Sequence, residues 1–235
     1  MSGNQVVSRE EWLKARKEHL AEEKEFTRQR DKLSQARREL PWVKVDDNYV
    51  FDCPSGSQSL SELFDGKSQL IVQHFMYGPD WSEGCPSCSF WADGFDGFIV
   101  HLAQRDVTMI AVSSATVDTL EAYKSRMGWS FKWVSSLGNS FNQDYGVTFT
   151  EEEQAAGPVN YNYQMRSFPS SEAPGISVFF KNGEGEIFHT YSCYSRGLDM
   201  MNAAYHYLDL VPKGRDEEAL PYGMAWLKRH DQYDR

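Results

Sequence analysis

The pattern of hydrophobic and polar positions divides the chain into a long polar segment and a region of short apolar runs. Ser8 and Glu11 form a capping box and no Gly or Pro follows until Pro41, so we predict one helix over residues 9 to about 39. More than half of these residues are charged, and the apolar ones form two heptad fragments, Leu13–Leu20 and Phe26–Leu33–Leu40, in different registers. Two interpretations stay open: a solvated arm with a narrow packing stripe, or a contact that makes a homodimer.

From Pro41 onward the apolar runs become short. VKV and NYVF predict two short strands, and SLSELFDG predicts a helical turn. The runs LIVQHFMY (70–77) and VTMIAVSS (107–114) predict two buried strands. A helix from Cys85 to about Gln104 should lie between them, and TVDTLEAYKSRM should form another that ends at Gly128. This order indicates a right-handed β-α-β-α unit with a parallel strand pair.

The last third of the chain mixes irregular and regular segments. Residues 130–171 have little periodicity, so Tyr161, Asn162 and Tyr163 are candidates either for a cover over Cys85 or for surface packing. ISVFFKN and EIFHTYS predict an antiparallel hairpin, and LDMMNAAYHYLDL predicts a final amphipathic helix. We expect an N-terminal helical extension over 1–40, one domain over 41–212 and a charged tail over 213–235 that wraps the surface.

Composition and charge narrow the class of function. The 235 residues, 40% hydrophobic and 14% aromatic, suffice for one packed core. The net charge of −10 disfavours nucleic acid and anionic membranes as partners. The chain has no apolar signal segment at its start and no window of 18 apolar residues, so we expect neither export nor membrane insertion but a cytoplasmic location. Thiols are kept reduced there, so a close cysteine pair is expected to be catalytic or metal-binding.

Cys85 and Cys88 form such a pair, in the sequence CPSC, among four cysteines. At the start of a helix, unpaired N–H groups and the helix dipole stabilise a thiolate at Cys85, whereas Cys88 lies one turn further on. We therefore predict that Cys85 is the nucleophile and Cys88 the resolving thiol of a dithiol–disulfide oxidoreductase. Its substrate would be a thiol or disulfide, and we expect no cofactor. Cys53 and Cys193 stand alone and receive no role.

The order of elements is that of the thioredoxin fold: an α/β protein with a central mixed sheet flanked by helices. Here the fold would carry a long N-terminal helix and an insertion before the C-terminal hairpin. Thioredoxin-like proteins place a cis-proline opposite the CxxC pair, so we predict that Pro174 is cis, contacts Cys85 and binds substrate. Trp81 and Trp91 flank the pair and are candidates for the substrate-binding face, with the core edge as the alternative.

Longer motifs carry a more specific resemblance. They are GCPSCSFWADGF with FxxGPDW ahead of it, AYKSRMGWSFKWVSS and SRGLDMMNAAYHYLDL. In these motifs and over nearly its whole length, the chain resembles a family of bacterial and fungal thioredoxin-like proteins known as a domain of unknown function. The resemblance implies a thioredoxin-like fold and a dithiol–disulfide activity at Cys85 and Cys88. It supplies no substrate.

Two better-known groups of thioredoxin-fold proteins have motifs that differ from those of this chain. Peroxiredoxins carry P-x-x-x-T-x-x-C, whereas here Pro79 lies six residues before Cys85 and Glu83 stands roughly where the threonine would fall. The layout around the two buried strands is nevertheless similar, so a peroxiredoxin-like peroxidase is one alternative. Thioredoxins carry a buried aspartate on the strand before the pair, where this chain offers Gln73 or His74. A histidine inside an apolar strand is more often a hydrogen-bonded core residue than a base.

A further alternative is a binding protein or metal protein without redox turnover. A zinc site needs four ligands, and the chain has no second CxxC. His189 and Cys193 are four residues apart and would share one face of a regular strand. The set Cys85, Cys88, His189 and Cys193 would then hold the metal.

Overall fold

The structure is a computed structural model that describes residues 3–46 and 48–234. Its strands are β1 (Val43–Lys44), β2 (Val50–Cys53), β3 (Gly56–Ser59), β4 (Gln69–His74), β5 (Val107–Ser113), β6 (Lys132–Ser135), β7 (Val159–Tyr161), β8 (Gln164–Arg166), β9 (Gly175–Lys181) and β10 (Ile187–Tyr194). Its α-helices are α1 (Arg9–Arg38), α2 (Pro86–Phe95), α3 (Ile99–Ala103), α4 (Val117–Met127), α5 (Phe141–Asp144), α6 (Glu151–Ala156) and α7 (Ala203–Leu208). Short 3₁₀ helices span Glu62–Phe64, Ser195–Met201 and His230–Gln232.

Eight of these strands form one mixed sheet in the order β1-β10-β9-β4-β5-β6-β2-β3. Strands β4, β5 and β6 are parallel, whereas β9 is antiparallel to β4 and β10 is antiparallel to β9. The unit β4-α2-β5 followed by the hairpin β9-β10, in the spatial order β5-β4-β9-β10, is the arrangement of the thioredoxin fold. The predicted fold class is therefore confirmed, including the long N-terminal helix and the insertion before the hairpin.

Both faces of the sheet are covered, which explains the continuous apolar run of β4. Leu70 and Val72 pack into one core with Phe179. Phe75, just beyond the strand, packs into the core on the other side with Cys88. Because successive side chains of a strand point to opposite faces, this central strand contributes to both cores at once. The second core lies beneath α2 and α4, so Cys88 points inward against the sheet.

Helix α1 forms as predicted, with the capping box in place. Glu11 N donates to Ser8 Oγ at 3.2 Å, and Ser8 N donates to Glu11 Oε2 at 2.9 Å. No residue of α1 is buried. Its last turn is joined to the sheet by Arg37, whose guanidinium lies 4.9 Å from the ring centre of Tyr191. None of the helices in the described part of the chain has the length and apolar character needed to cross a bilayer.

Two predicted helices are interrupted. The helix that begins after Cys85 ends at Phe95 and resumes as α3, because the Asp96 carboxylate accepts the backbone N–H of Ser130 at 2.8 Å and of Phe131 at 3.0 Å. The prediction of one helix to Gln104 is therefore wrong. The segment predicted as the final amphipathic helix is a 3₁₀ helix up to Met201, and only its later part, α7, is α-helical. The two helices are separated at Asn202, whose backbone torsion angles are not helical.

The irregular region 130–171 contains structure that periodicity does not reveal. Strand β6 lies inside the sheet and is buried at three of its four positions, so it lacks the alternation that marks a strand. The short helices α5 and α6 and the separate hairpin β7-β8 follow. This insertion has its own apolar cluster, which contains Val147, Phe149, Val159 and Tyr161 and is closed by Tyr194 of β10.

Candidate functional site

Cys85 is the residue that caps the start of α2. Its backbone N–H donates to the Met76 carbonyl at 3.0 Å, and Pro86 occupies the first helical position, where a missing N–H costs no hydrogen bond. The preceding residue must be glycine, since a Cβ on Gly84 would lie 2.8 Å from the Phe75 ring. The loop after β4 therefore holds the Cys85 sulfur at the end of α2 where N–H groups are unpaired.

The surroundings of Cys85 favour its thiolate. The Cys88 thiol and the backbone N–H groups of Cys88 and Ser87 lie where they stabilise the ionised form of the Cys85 sulfur. These donors outweigh the opposing effect of burial and lower the pKa of Cys85 to about 7. A large fraction of Cys85 is therefore ionised at neutral pH.

Cys88 has the opposite character. It is completely buried between α2 and the sheet. Burial, together with the hydrogen bond that it donates to Cys85, raises the pKa of Cys88 well above the usual value of a thiol. The pair therefore consists of one partly exposed thiol with a lowered pKa and one buried thiol with a raised pKa. All four cysteines of the chain are free thiols.

One buried carboxyl group acts on this pair through its charge. Glu172 is 2% exposed and accepts a hydrogen bond of 2.9 Å from Thr148 Oγ1. Burial outweighs the hydrogen bonds from Thr148 and Ser114 and raises the pKa of Glu172 to about 7. Its negative charge is one of the causes that raise the pKa of Cys88. No sequence signal marks Glu172, because it lies in an irregular segment and reaches the site only through the fold.

His74 belongs to the core, as predicted. It is 1% exposed, and its two ring nitrogens lie 3.0 Å from Asn142 Oδ1 and 2.8 Å from Ser177 Oγ. Burial lowers its pKa to about 4, so the ring is neutral at physiological pH. Asn142 also donates to Ser114 Oγ at 3.4 Å, and Ser114 lies 3.3 Å from Thr148 Oγ1. A chain of polar side chains thus connects the histidine with Glu172.

Pro174 differs from its prediction. No peptide bond between described residues is cis, so the bond before Pro174 is trans and the predicted cis isomer is wrong. The insertion pairs with this segment: Ala173 N donates to the Val147 carbonyl at 2.8 Å, and Tyr161 Oη donates to the Pro174 carbonyl at 2.8 Å. The extended backbone is therefore already hydrogen-bonded within the protein. A role of Pro174 in substrate binding stays a prediction.

The aromatic candidates have different positions. Trp81 is half-buried and packs over Gly78. A Cβ atom at position 78 would lie only 2.9 Å from Nε1 of Trp81. Trp91 is also half-buried and lies on α2 above the second core. Tyr161 is 2% exposed, and its pKa is raised by burial first and also by the charge of Cys88. Tyr163 is 75% exposed and donates to the Ser192 carbonyl, away from Cys85.

The alternative metal set is not assembled. Within residues 3–46 and 48–234, no group of three or more potential ligands gathers in a geometry suited to a metal ion. A bulge in β10 shifts the register between His189 and Tyr191, so His189 pairs with Phe179 while Cys193 pairs with Ile176. The extra residue turns the two side chains to opposite faces of the sheet. The expectation that they share a face is therefore wrong.

The C-terminal tail reaches the cysteine loop. Arg229 Nη2 donates to the Gly84 carbonyl at 2.6 Å, and its Nε donates to Tyr123 Oη at 2.8 Å. The same guanidinium forms an ion pair of 2.8 Å with Glu83. Arg229 thus fixes the residues directly before Cys85. Sequence reasoning placed the tail on the surface and missed this contact, because nothing in a charged segment indicates which loop it meets.

Comparison with known proteins gives a family match and distant structural similarities. A family model described as bacterial protein of unknown function, DUF899, matches residues 1–233. No curated protein has significant similarity to the chain. A cysteine-to-serine mutant of PrxQ from Xylella fastidiosa is 11% identical, with a TM-score of 0.43 over 71% of this chain and 95% of its own. Peroxidoxin BcpB from Mycobacterium tuberculosis is 12% identical, with a TM-score of 0.45 over 68% and 95%. Similarities this low assign no function.

Proposed function

The chain belongs to the DUF899 family of bacterial proteins, and we propose that it is a dithiol–disulfide oxidoreductase with Cys85 and Cys88 as its redox pair. One observation carries the proposal: Cys85 caps the start of α2, where no side chain pairs with the free N–H groups, and Cys88 lies buried in the first turn of the same helix. This arrangement prepares one sulfur for attack and keeps the second one protonated within reach.

In the first step the Cys85 thiolate attacks one sulfur of a substrate disulfide. A new bond joins Cys85 to that sulfur, the substrate S–S bond breaks, and the other substrate sulfur leaves as a thiolate that takes a proton from water. Half-buried Trp81, on the loop that precedes Cys85, is our proposed contact for the substrate body.

In the second step Cys88 resolves the mixed disulfide. Its thiol must first lose a proton, and we propose the Glu172 carboxylate as the acceptor, directly or through one water molecule. The Cys88 thiolate then attacks the Cys85 sulfur, the Cys85–Cys88 disulfide forms, and the second substrate sulfur leaves as a thiolate. The substrate gains two electrons and the protein dithiol loses two. A second dithiol would return the protein to its starting state, as expected in the reducing cytoplasm.

The partner that we propose is a second copy of the same chain, bound through helix α1. Its apolar side chains remain exposed, with Phe26 at 67% and Leu33 at 57%. Phe26 and Leu33 are seven residues apart, the heptad spacing that is typical of helices that pair with each other. We propose that two chains associate along α1.

A model disulfide tests the redox proposal. With 5,5′-dithiobis(2-nitrobenzoic acid), the parent protein should rapidly release two equivalents of thiolate and form the Cys85–Cys88 disulfide. Cys88→Ser should release one equivalent and keep a mixed disulfide on Cys85, which mass spectrometry identifies. Cys193→Ser, a buried cysteine outside the pair, is the matched control and should behave as the parent. Equal reactivity of Cys85→Ser and the parent would contradict the proposal, and much faster oxidation by peroxide would favour a peroxidase instead.

A further inference from the structure

A cavity lies between helix α2 and the sheet, on the side of the sheet that holds Cys88. Its volume is about 270 Å³. Apolar side chains from the sheet, from α2 and from the 3₁₀ helix at 195–201 form most of its wall, among them Ile71, Met109, Ile176, Phe95 and Leu198. We call this space the α2 cavity. The redox steps proposed above do not use it.

Two polar atoms in the wall of the α2 cavity have no hydrogen-bond partner among the described residues. They are Gln73 Oε1, an acceptor, and Trp91 Nε1, a donor, and both atoms are buried. Gln73 is 3% exposed as a whole residue. Buried polar side-chain atoms in native proteins are nearly always paired, since an unpaired one loses its bonds to water without replacement. The two atoms therefore indicate a bound molecule.

The residues that line the α2 cavity indicate the chemistry of that molecule. A hydrocarbon body suits the apolar surface, and an ionised group would lose its hydration inside the cavity. The polar part must donate a hydrogen bond to Gln73 and accept one from Trp91. A hydroxyl group does both and leaves no further N–H or carbonyl group unpaired. We propose that the α2 cavity binds an uncharged, mainly apolar molecule that carries one hydroxyl group.

Size and access are consistent with this class. A water molecule occupies roughly 30 Å³, so a cavity of about 270 Å³ has room for about nine non-hydrogen atoms of that size. An eight-carbon alcohol has this number of non-hydrogen atoms. The rim carries three exposed apolar side chains, with Phe98 41%, Met200 48% and Met201 42% accessible. Arg37 also lines the cavity from the end of α1. The competing ligand is therefore an apolar molecule with a carboxylate that lies at the rim.

Matched small molecules test the proposal on the full-length protein. The probes are 1-octanol, 1-methoxyheptane, which has the same number of non-hydrogen atoms but no donor, and octanoate. Calorimetry should show saturable binding of octanol, about tenfold tighter than the ether, as expected for one buried hydrogen bond. Gln73→Met should abolish the preference for the alcohol. Gln69→Met, an exposed glutamine on the same strand, should preserve it.

A second readout does not depend on the fold of the Gln73 variant. The indole N–H signal of Trp91, assigned by its loss in Trp91→Phe, should move in the ¹⁵N spectrum of the parent when octanol is added. The proposal is overturned if no probe binds saturably, because water alone then fills the cavity. It is equally overturned if alcohol and ether bind alike to the parent, or if octanoate binds best and loses its affinity in Arg37→Met.

Discussion

At the scale of single residues, the proposed base Glu172 predicts how the resolving step depends on pH. Glu172 has a pKa of about 7, so both of its protonation states are populated near neutral pH. Cys88 stays protonated over the same range, because burial raises its pKa. A thiol of this kind needs a base before it can attack, and Glu172 is the base that we propose.

Glu172→Gln should therefore slow the resolving step and spare the first attack. We expect release of the second thiolate from the model disulfide to fall roughly 100-fold, a typical contribution of a positioned base, while the first release keeps its rate. The rise of the second rate near pH 7 should also disappear. Stopped-flow absorbance separates the two releases. Glu152→Gln, exposed in the same insertion, is the control, and an unchanged pH profile in Glu172→Gln would remove Glu172 from the mechanism.

The same group should also affect stability. Its folded-state pKa of about 7 lies above the ordinary value of 4.5, so between these values the folded chain holds a proton that the unfolded chain has lost. The free energy of unfolding therefore falls as pH rises through this window, by on the order of 3 kcal/mol. Glu172→Gln should gain stability relative to the parent on going from pH 5 to pH 8 in urea unfolding. A constant difference would mean that the carboxyl is not buried.

Residue-level prediction succeeded where local pattern decides the environment. The position of Cys85 at a helix start and the core character of His74 both follow from the residues around them. Glu172 and Arg229 could not be predicted, because one arrives from an irregular insertion and the other from the tail, and both meet the cysteine loop only in three dimensions.

At the scale of elements, helix ends were predicted from capping residues, and strands were predicted from their pattern of apolar residues. Ser8 and Gly128 mark the start of α1 and the end of α4 as predicted. Long-range bonds changed the rest: the Asp96 carboxylate interrupts the helix after Cys85, and a single extra residue in β10 separates His189 from Cys193. Such effects depend on neighbours that are distant in sequence.

Helix α1 supplies the prediction at this scale. Replacing Leu20, Phe26 and Leu33 by Glu should convert a dimer into a monomer in light scattering, because the proposed contact would then place charges in an apolar seam. The melting temperature of the body should change little, since no residue of α1 is buried. Lys17→Glu with Lys24→Glu, two charge changes outside the apolar positions, should leave the dimer intact. A parent protein that is already monomeric would contradict the proposal.

At the scale of the whole molecule, three distant parts of the chain converge on the cysteine loop. The sheet places the loop at the end of β4, Glu172 and Tyr161 of the insertion interact electrostatically with Cys88, and the tail fixes Gly84 through Arg229. The central order β5-β4-β9-β10 could be predicted from the sequence of elements, whereas the place of β6 in the sheet could not. The insertion and the tail could not, because neither has a periodic pattern that indicates what it packs against.

The central claim is that Cys85 is the activated thiol and that Cys88 activates it. The most direct measurement is the rate of iodoacetamide modification against pH in Cys88→Ser, Cys88→Ala and Cys85→Ser. We predict a midpoint near pH 7 for Cys85 in Cys88→Ser, where a hydroxyl still donates to the sulfur, and a higher midpoint in Cys88→Ala. Cys85→Ser should react slowly throughout. Faster modification of Cys88 than of Cys85, or midpoints near ~8.5 in both Cys88 variants, would contradict the account.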